Sequence, residues 1–276
     1  MNWTQALILG LVQGLTEFLP VSSSGHLVIF NHLFGEYGGD LTFTVFLHFA
    51  TLVSVFIMFW RDIAMLVREF FALLGDLFRG KFHFNTPERR FLLMVMIGTI
   101  PAAVIGLAIS ALGFTHVLEN IFVVAAFLLV TAVLMFSVDK LFAKRAMFTQ
   151  ENAPYRCAWI VGLMQGIAIF PGLSRSGSTI FGGALAGLQK DFAVRYAFIL
   201  SIPAILGAGL LEGVAAMQHG LEFHALNWAV GFVAAAVSGI LAISVIKLLI
   251  RKRKFYLFGI YCVAAAVAAF AIGILI

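Results

Sequence analysis

Charge is what this sequence most conspicuously lacks. Of 276 residues only 11% are Asp, Glu, Lys or Arg, while 62% are hydrophobic and the mean hydropathy is +1.04. A soluble domain carries about 25% charged residues. A chain this depleted has too little polar surface to cover itself in water, which excludes an ordinary soluble domain. It points to an integral membrane protein with little mass outside the bilayer. Cysteine is nearly absent as well. Cys157 and Cys262 have no metal or redox spacing, so they are expected to be packing residues. The ten-residue alternation of a membrane β-strand is missing, and apolar runs of helical length recur instead, which favours a helical bundle over a barrel. No charged segment, apolar segment and small-residue cleavage site opens the chain, so no cleaved signal peptide is expected.

Six runs read as full crossings, at about 41–60, 91–113, 119–138, 196–217, 228–250 and 255–276. Each is long enough for a hydrocarbon core of about 30 Å at a rise of about 1.5 Å per residue. Trp60, Trp228 and Tyr256 stand at their ends as expected interfacial anchors. Pro101 and Pro203 fall inside spans and are expected to kink them. Two further stretches, 3–34 and 156–188, each read as an apolar helix, a break containing Pro and polar residues, and a second apolar helix.

The distribution of Lys and Arg decides how those two stretches run. If both dip into the membrane and return, every Lys and Arg except Arg175 falls on one side, including the "KLLIRKRK" stretch, and the loops "GEYGGD" and "MQHGLEFHALN" on the other side contain none. If both cross, the same residues divide between the two faces. Only the re-entrant arrangement obeys the positive-inside rule, and it places both termini outside. The same asymmetry accounts for the net charge of +5, which would otherwise suggest a nucleic-acid partner.

The chain also repeats itself. "ALILGLVQGLTEFLPVSSSGH" at 6–26 is echoed by "AWIVGLMQGIAIFPGLSRSGS" at 158–178, with Gly10, Gln13, Gly14, Phe18, Ser22, Ser24 and Gly25 recurring as Gly162, Gln165, Gly166, Phe170, Ser174, Ser176 and Gly177. The expected fold is therefore an all-α polytopic membrane protein, one membrane domain over 1–276. It is an inverted repeat of two halves, about 1–140 and 150–276, each one re-entrant helical hairpin plus three transmembrane helices. The two broken hairpins enter from opposite faces and meet near the midplane, where polar loops face a cavity instead of lipid.

Each loop is expected to end at the N-terminus of a returning helix. "SSSG" (Ser22 to Gly25) and "SRSG" (Ser174 to Gly177) leave unpaired backbone N–H groups at the positive end of a helix dipole, a ready anion site. Arg175 adds a planar charged fork suited to phosphate oxygens. Ser23, Ser174, Ser176 and Thr179 add hydroxyls, although Ser and Thr also cap helices routinely. A buried Arg175 needs an anionic partner, for which Glu17 or a bound phosphate would serve. Gln13 and Glu17 share a helical face. His26 lies just past the serine loop, where it could exchange a proton. His48 and Glu212 are also ionisable residues in spans, read as an outlying site residue and a helix-end residue.

These motifs carry a resemblance. "QGLTE", "LPVSSSGH" and "PGLSRSGST" resemble the (E/Q)xxxE, first-loop and PGxSRSxxT patterns of the undecaprenyl pyrophosphate phosphatase family, the bacitracin-resistance type. The likeness extends over essentially the whole chain. It implies hydrolysis of a polyprenyl pyrophosphate to the monophosphate and inorganic phosphate, recycling the lipid carrier of cell-wall synthesis. It implies a bacterial cytoplasmic membrane protein whose site opens to the outer face, helped by Mg²⁺ or Ca²⁺. Gln13, Glu17, Ser23, His26, Ser174, Arg175 and Thr179 then become the site, with Gly172 and the loop amides holding substrate. Gln13 stands where many members carry Glu, which leaves Glu17 as the metal-binding candidate. Ser23 is the first choice of nucleophile with His26 as base or acid; Ser174 and water remain alternatives. The expected partners are the lipid, the membrane and, as a candidate, a second copy of the chain, not nucleic acid. The competing reading is a transporter or flippase of a phosphorylated polyprenyl lipid, alone or as a dual role, because inverted repeats with broken helices also build secondary transporters.

Overall fold

The computed structural model describes residues 1–34, 41–80, 86–112, 120–219, 224–251 and 254–276. Among them are eleven helices: α1 (Trp3–Phe18), α2 (Ser23–Phe34), α3 (Leu41–Met58), α4 (Trp60–Phe78), α5 (Pro87–Ala111), α6 (Ile121–Arg145), α7 (Arg156–Ile167), α8 (Arg175–Ala186), α9 (Lys190–His219), α10 (Ala225–Arg251) and α11 (Tyr256–Leu275). The loop "GEYGGD" and the side chain of Glu212 lie outside the described residues.

Helices α5, α6, α9, α10 and α11 are long and apolar enough to cross a membrane. The run expected to cross at 41–60 is α3, which stops at Met58. There the chain turns by 90° into α4, a helix absent from the sequence expectation, and the two together make the sixth candidate crossing. The turn has a physical cause in the composition of α4. Asp62, Glu69 and Asp76 recur along its protein-facing side, where Asp62 meets Arg195 at 3.3 Å and the nearly buried Arg89 bridges Glu69 at 3.0 Å and Asp76 at 2.9 Å. With α3 already near the length of the hydrocarbon core, the turn lays α4 against the bundle, where these carboxylates reach Arg89 and Arg195. Trp60, Val67, Phe71 and Phe78 occupy the outer, exposed side.

The four short helices behave as half-spans. α2, α7 and α8 have 12 residues each, or about 18 Å at the helical rise, well short of the core thickness. α1 begins in a capping box, with Asn2 Oδ1 accepting from Gln5 N at 2.9 Å and Gln5 Oε1 accepting from Asn2 N at 2.8 Å. It ends where Leu19 turns extended ahead of Pro20, whose ring disfavours a helical residue before it.

The packing repeats with the sequence. α1 lies on α10 as α7 lies on α5, α3 lies on α10 as α9 lies on α5, and α6 and α11 pair with each other. Exchanging the two halves maps this pattern onto itself, as a repeat requires. The recurring glycines sit at the crossings. A Cβ at Gly10 would overlap the carbonyl oxygen of Gly231, and one at Gly162 would overlap that of Gly98. Small residues thus let the helix backbones touch, the usual device inside a bilayer.

One anchor is corrected. Trp60 and Tyr256 are exposed, but Trp228 is buried and packs edge-on against Phe43 and at a tilt against Phe46. Its ring fills an interhelical gap instead of meeting the interface. Cys157 and Cys262 are both free and buried, as packing residues should be.

Candidate active site between the two broken hairpins

The two loops are stitched directly to each other. Gly172 N donates to Ser22 Oγ at 3.1 Å, and Ser176 Oγ donates to Leu19 O at 3.1 Å. α6 locks the second loop: Thr131 Oγ1 donates to Gly172 O at 2.9 Å and accepts from Ser174 N at 3.0 Å. The contact is close enough to need glycine on both sides. Gly172 has φ +93° and abuts the Val124 carbonyl, while a Cβ at Gly25 would stand 3.0 Å from the Gly172 Cα. Ser22 itself has φ 69°, a left-handed conformation that costs an L-residue about 1–2 kcal/mol.

Each loop caps its returning helix with its first serine. Ser174 Oγ accepts from Gly177 N at 3.0 Å, and Ser22 Oγ accepts from Gly25 N at 3.2 Å. Ser176 lies 3.2 Å from Ser174, hydroxyl to hydroxyl, and Ser24 lies 3.4 Å from Ser22. Thr179 Oγ1 donates back to the carbonyls of Arg175 and Ser176, so its hydroxyl serves its own helix.

Glu17 is the hub. Its side chain, almost wholly buried, pairs through Oε1 with Arg175. On Oε2 it accepts from Ser23 Oγ at 2.6 Å and from Gln13 Nε2 at 2.9 Å, with His48 Nε2 at 3.6 Å. Arg175 therefore has the anionic partner its depth demands. A cavity of about 340 Å³ opens beside this cluster, lined by Glu17, Ser22, Ser23, Ser24, Ser174 and Arg175 from the loops and by Thr44 and His48 from α3.

His26 is not part of that cluster. Its Nδ1 lies 2.7 Å from Ser22 O, and its Nε2 lies 2.8 Å from the hydroxyl of Tyr261, whose ring stacks on the imidazole. The expected pairing of Ser23 with His26 is replaced by Ser23 with Glu17. Ser23 opens α2 facing back along α1, whereas the His26 side chain returns to the carbonyl at the helix start. Thr131 and Tyr261 carry no sequence signal of their own. His48 had one, an ionisable side chain inside an apolar run, but no motif to attach it to the loops.

The donor set does not fit a resident divalent cation. Among the described residues no group of three His, Cys, Asp or Glu side chains converges, Glu17 is the one carboxylate on the cavity wall, and its oxygens are engaged by Arg175, Ser23 and Gln13. Hard cations want several oxygen ligands. Gln13 Oε1, buried without a partner, is a single neutral oxygen and does not supply them.

Fold and site together define a polytopic helical membrane protein with a cavity lined by hydroxyls and an arginine between two broken hairpins. Residues 6–268 match the family described as bacitracin resistance protein BacA, and the chain belongs to that family. It is 39% identical over 269 residues to a protein named undecaprenyl-diphosphatase from Methanosphaera stadtmanae, covering 93% of both chains. Proteins of the same name from Alkaliphilus metalliredigens and Bacteroides fragilis are each 40% identical, with coverage of 95% and 97% of both chains respectively.

Proposed function

We propose that the chain is an undecaprenyl-pyrophosphate phosphatase, releasing inorganic phosphate and leaving the lipid monophosphate. The observation that carries the reading is the Ser23 hydroxyl donated at 2.6 Å to Glu17 on the wall of a cavity that also holds Arg175. Ser23 is the nucleophile and Glu17 its proton acceptor. The Ser23 O–H proton passes to Glu17 Oε2, the Oγ–phosphorus bond forms, and the phosphoanhydride bond breaks with the lipid monophosphate leaving. Water then attacks the phosphoserine and the Oγ–phosphorus bond breaks; phosphate leaves with both protons of that water, and Ser23 recovers its proton from Glu17. Arg175 and the free amides of the serine loops stabilise charge on the transferring phosphoryl oxygens. Ser174 does not compete for this part, because its hydroxyl caps α8.

Gln13 orients Glu17, and His48 and Thr44 complete the cavity wall beside it. A Mg²⁺ or Ca²⁺ ion would arrive on the pyrophosphate itself. The lipid tail lies in the bilayer, which is the other partner. A carrier of the same lipid needs the arginine clamp but has no use for a serine hydroxyl held on a carboxylate, and that pair favours chemistry over transport. The Lys and Arg asymmetry supports a site facing the outer side of the cytoplasmic membrane, with both termini outside.

Purified protein in detergent, given undecaprenyl pyrophosphate, should release stoichiometric phosphate, and the Ser23→Ala variant should not. Turnover by Ser23→Ala at the wild-type rate would transfer the attack to water. For orientation, tags at both termini should react with an impermeant reagent from outside, and a cysteine replacing the exposed Glu151 should react only from the cytoplasm.

A further inference from the structure

Ser22 is the one non-glycine residue with positive φ among the described residues, and it immediately precedes Ser23. Its carbonyl is held twice by one residue: His26 N donates to it at 3.2 Å, and the His26 ring approaches it through Nδ1 at 2.7 Å. A carbonyl only accepts, so Nδ1 carries the proton. The other ring nitrogen, Nε2, then presents a lone pair, and the Tyr261 hydroxyl donates to it at 2.8 Å. The two rings stack with centroids 5.5 Å apart and an angle of 11° between their planes. Tyr261 comes from α11, in the other half of the repeat. The second loop has no counterpart to this clamp. Ser174 sits at an ordinary φ of −66°, and Ser178 stands where His26 would.

We propose that His26 and Tyr261 are positioning residues for the phosphatase reaction. They hold Ser22 in its left-handed conformation, which aims the next hydroxyl, that of Ser23, at Glu17 and keeps Ser22 Oγ on Gly172 N. The lone pair of His26 is spent on Tyr261 and faces neither Ser23 nor the cavity, so His26 takes no proton from the nucleophile. Tyr261 makes the geometry of the first loop depend on docking of the second half. This inference rests on the phosphatase reading above.

Three variants test it in phosphate-release assays across substrate concentration. An asparagine amide can donate to the Ser22 carbonyl as Nδ1–H does, yet it cannot serve as a base at neutral pH. His26→Leu should lower kcat about 100-fold with KM nearly constant, the scale of a misplaced reacting group. His26→Asn should recover at least about ten-fold of that loss, because the donor to Ser22 is restored. Tyr261→Phe should lower kcat about five-fold, the worth of one net hydrogen bond. A His26→Asn enzyme as inactive as His26→Leu would overturn the proposal in favour of a proton-transfer role, and wild-type kcat in Tyr261→Phe would remove the tyrosine from it. A second readout does not need turnover. In a Ser23→Cys background the alkylation rate of the thiol should shift about three-fold or more when Tyr261→Phe is added, because the thiol is no longer held in register with Glu17. An unchanged rate would overturn the positioning role even if the protein proved not to be a phosphatase. Absence of phosphate release from the wild-type chain, with a shifted alkylation rate, would sink the phosphatase reading alone.

Discussion

Ser22 and Ser174 occupy matching places in the two broken hairpins, and each caps the helix that follows with its hydroxyl. The residues after them diverge. Ser23 in the first loop corresponds to Arg175 in the second, Glu17 corresponds to Ile169, and His26 to Ser178. The backbone diverges too, with Ser22 left-handed and Ser174 not. A duplicated serine loop has thus been divided. One copy carries a carboxylate and a hydroxyl, and the other supplies the permanent cation. Placing both sets in one loop would have put Glu17 and Arg175 on the same short helix pair. Placing them in opposite loops makes the ion pair, and with it the site, a product of the two halves meeting.

Substitutions can break that division of labour. The largest effect should come from Ser23→Ala, which removes an interaction made in the chemical step and should lower kcat by at least about 10⁴-fold while substrate binding persists. Ser174→Ala, its neighbour in the other loop, should cost about 1 kcal/mol of stability, the value of an N-cap, with turnover falling only a few-fold. Next comes Arg175→Lys, expected to lose about 10²–10³-fold in kcat/KM although its charge is kept, because an ammonium cannot reproduce the guanidinium fork. Near-normal turnover in Arg175→Lys would mean that Arg175 serves only to balance Glu17.

The helix crossings sharpen the comparison at smaller scale. Gly10→Ala and Gly162→Ala place a methyl against matching carbonyls in the two halves. Both should lower the thermal midpoint in detergent to a similar extent, by about 1–3 kcal/mol of overpacking. A large effect at only one of them would show that the two crossings are not equivalent. The smallest effect is expected at Ser178, the match of His26. Its hydroxyl is fully buried with no hydrogen-bond partner. Ser178→Ala should therefore be neutral or stabilising by up to about 1 kcal/mol, with kcat unchanged. A loss of activity there would reveal a role in the second loop that the geometry does not show.

Sequence by itself determined the helical membrane architecture, the two interrupted hairpins and the duplicated serine loops. Those properties are local: how much charge a segment carries, how long an apolar run lasts, and which residues stop a helix or cap the next one. That Arg175 needs an anionic partner was legible as well, and Glu17 was one of the two candidates, beside a bound phosphate. Tertiary structure alone decided the rest. In a bilayer the lipid-facing and protein-facing sides of a helix are both apolar, so periodicity does not say which helices touch. Tyr261 meets His26 across most of the length of the chain, and nothing around either residue announces it. Trp228 turned inward, and α4 swung away from the line of α3, because their neighbours offered an aromatic gap and a buried arginine. The nearest base to Ser23 in sequence was His26, but rotation about the first turn of α2 gave the hydroxyl to Glu17 instead.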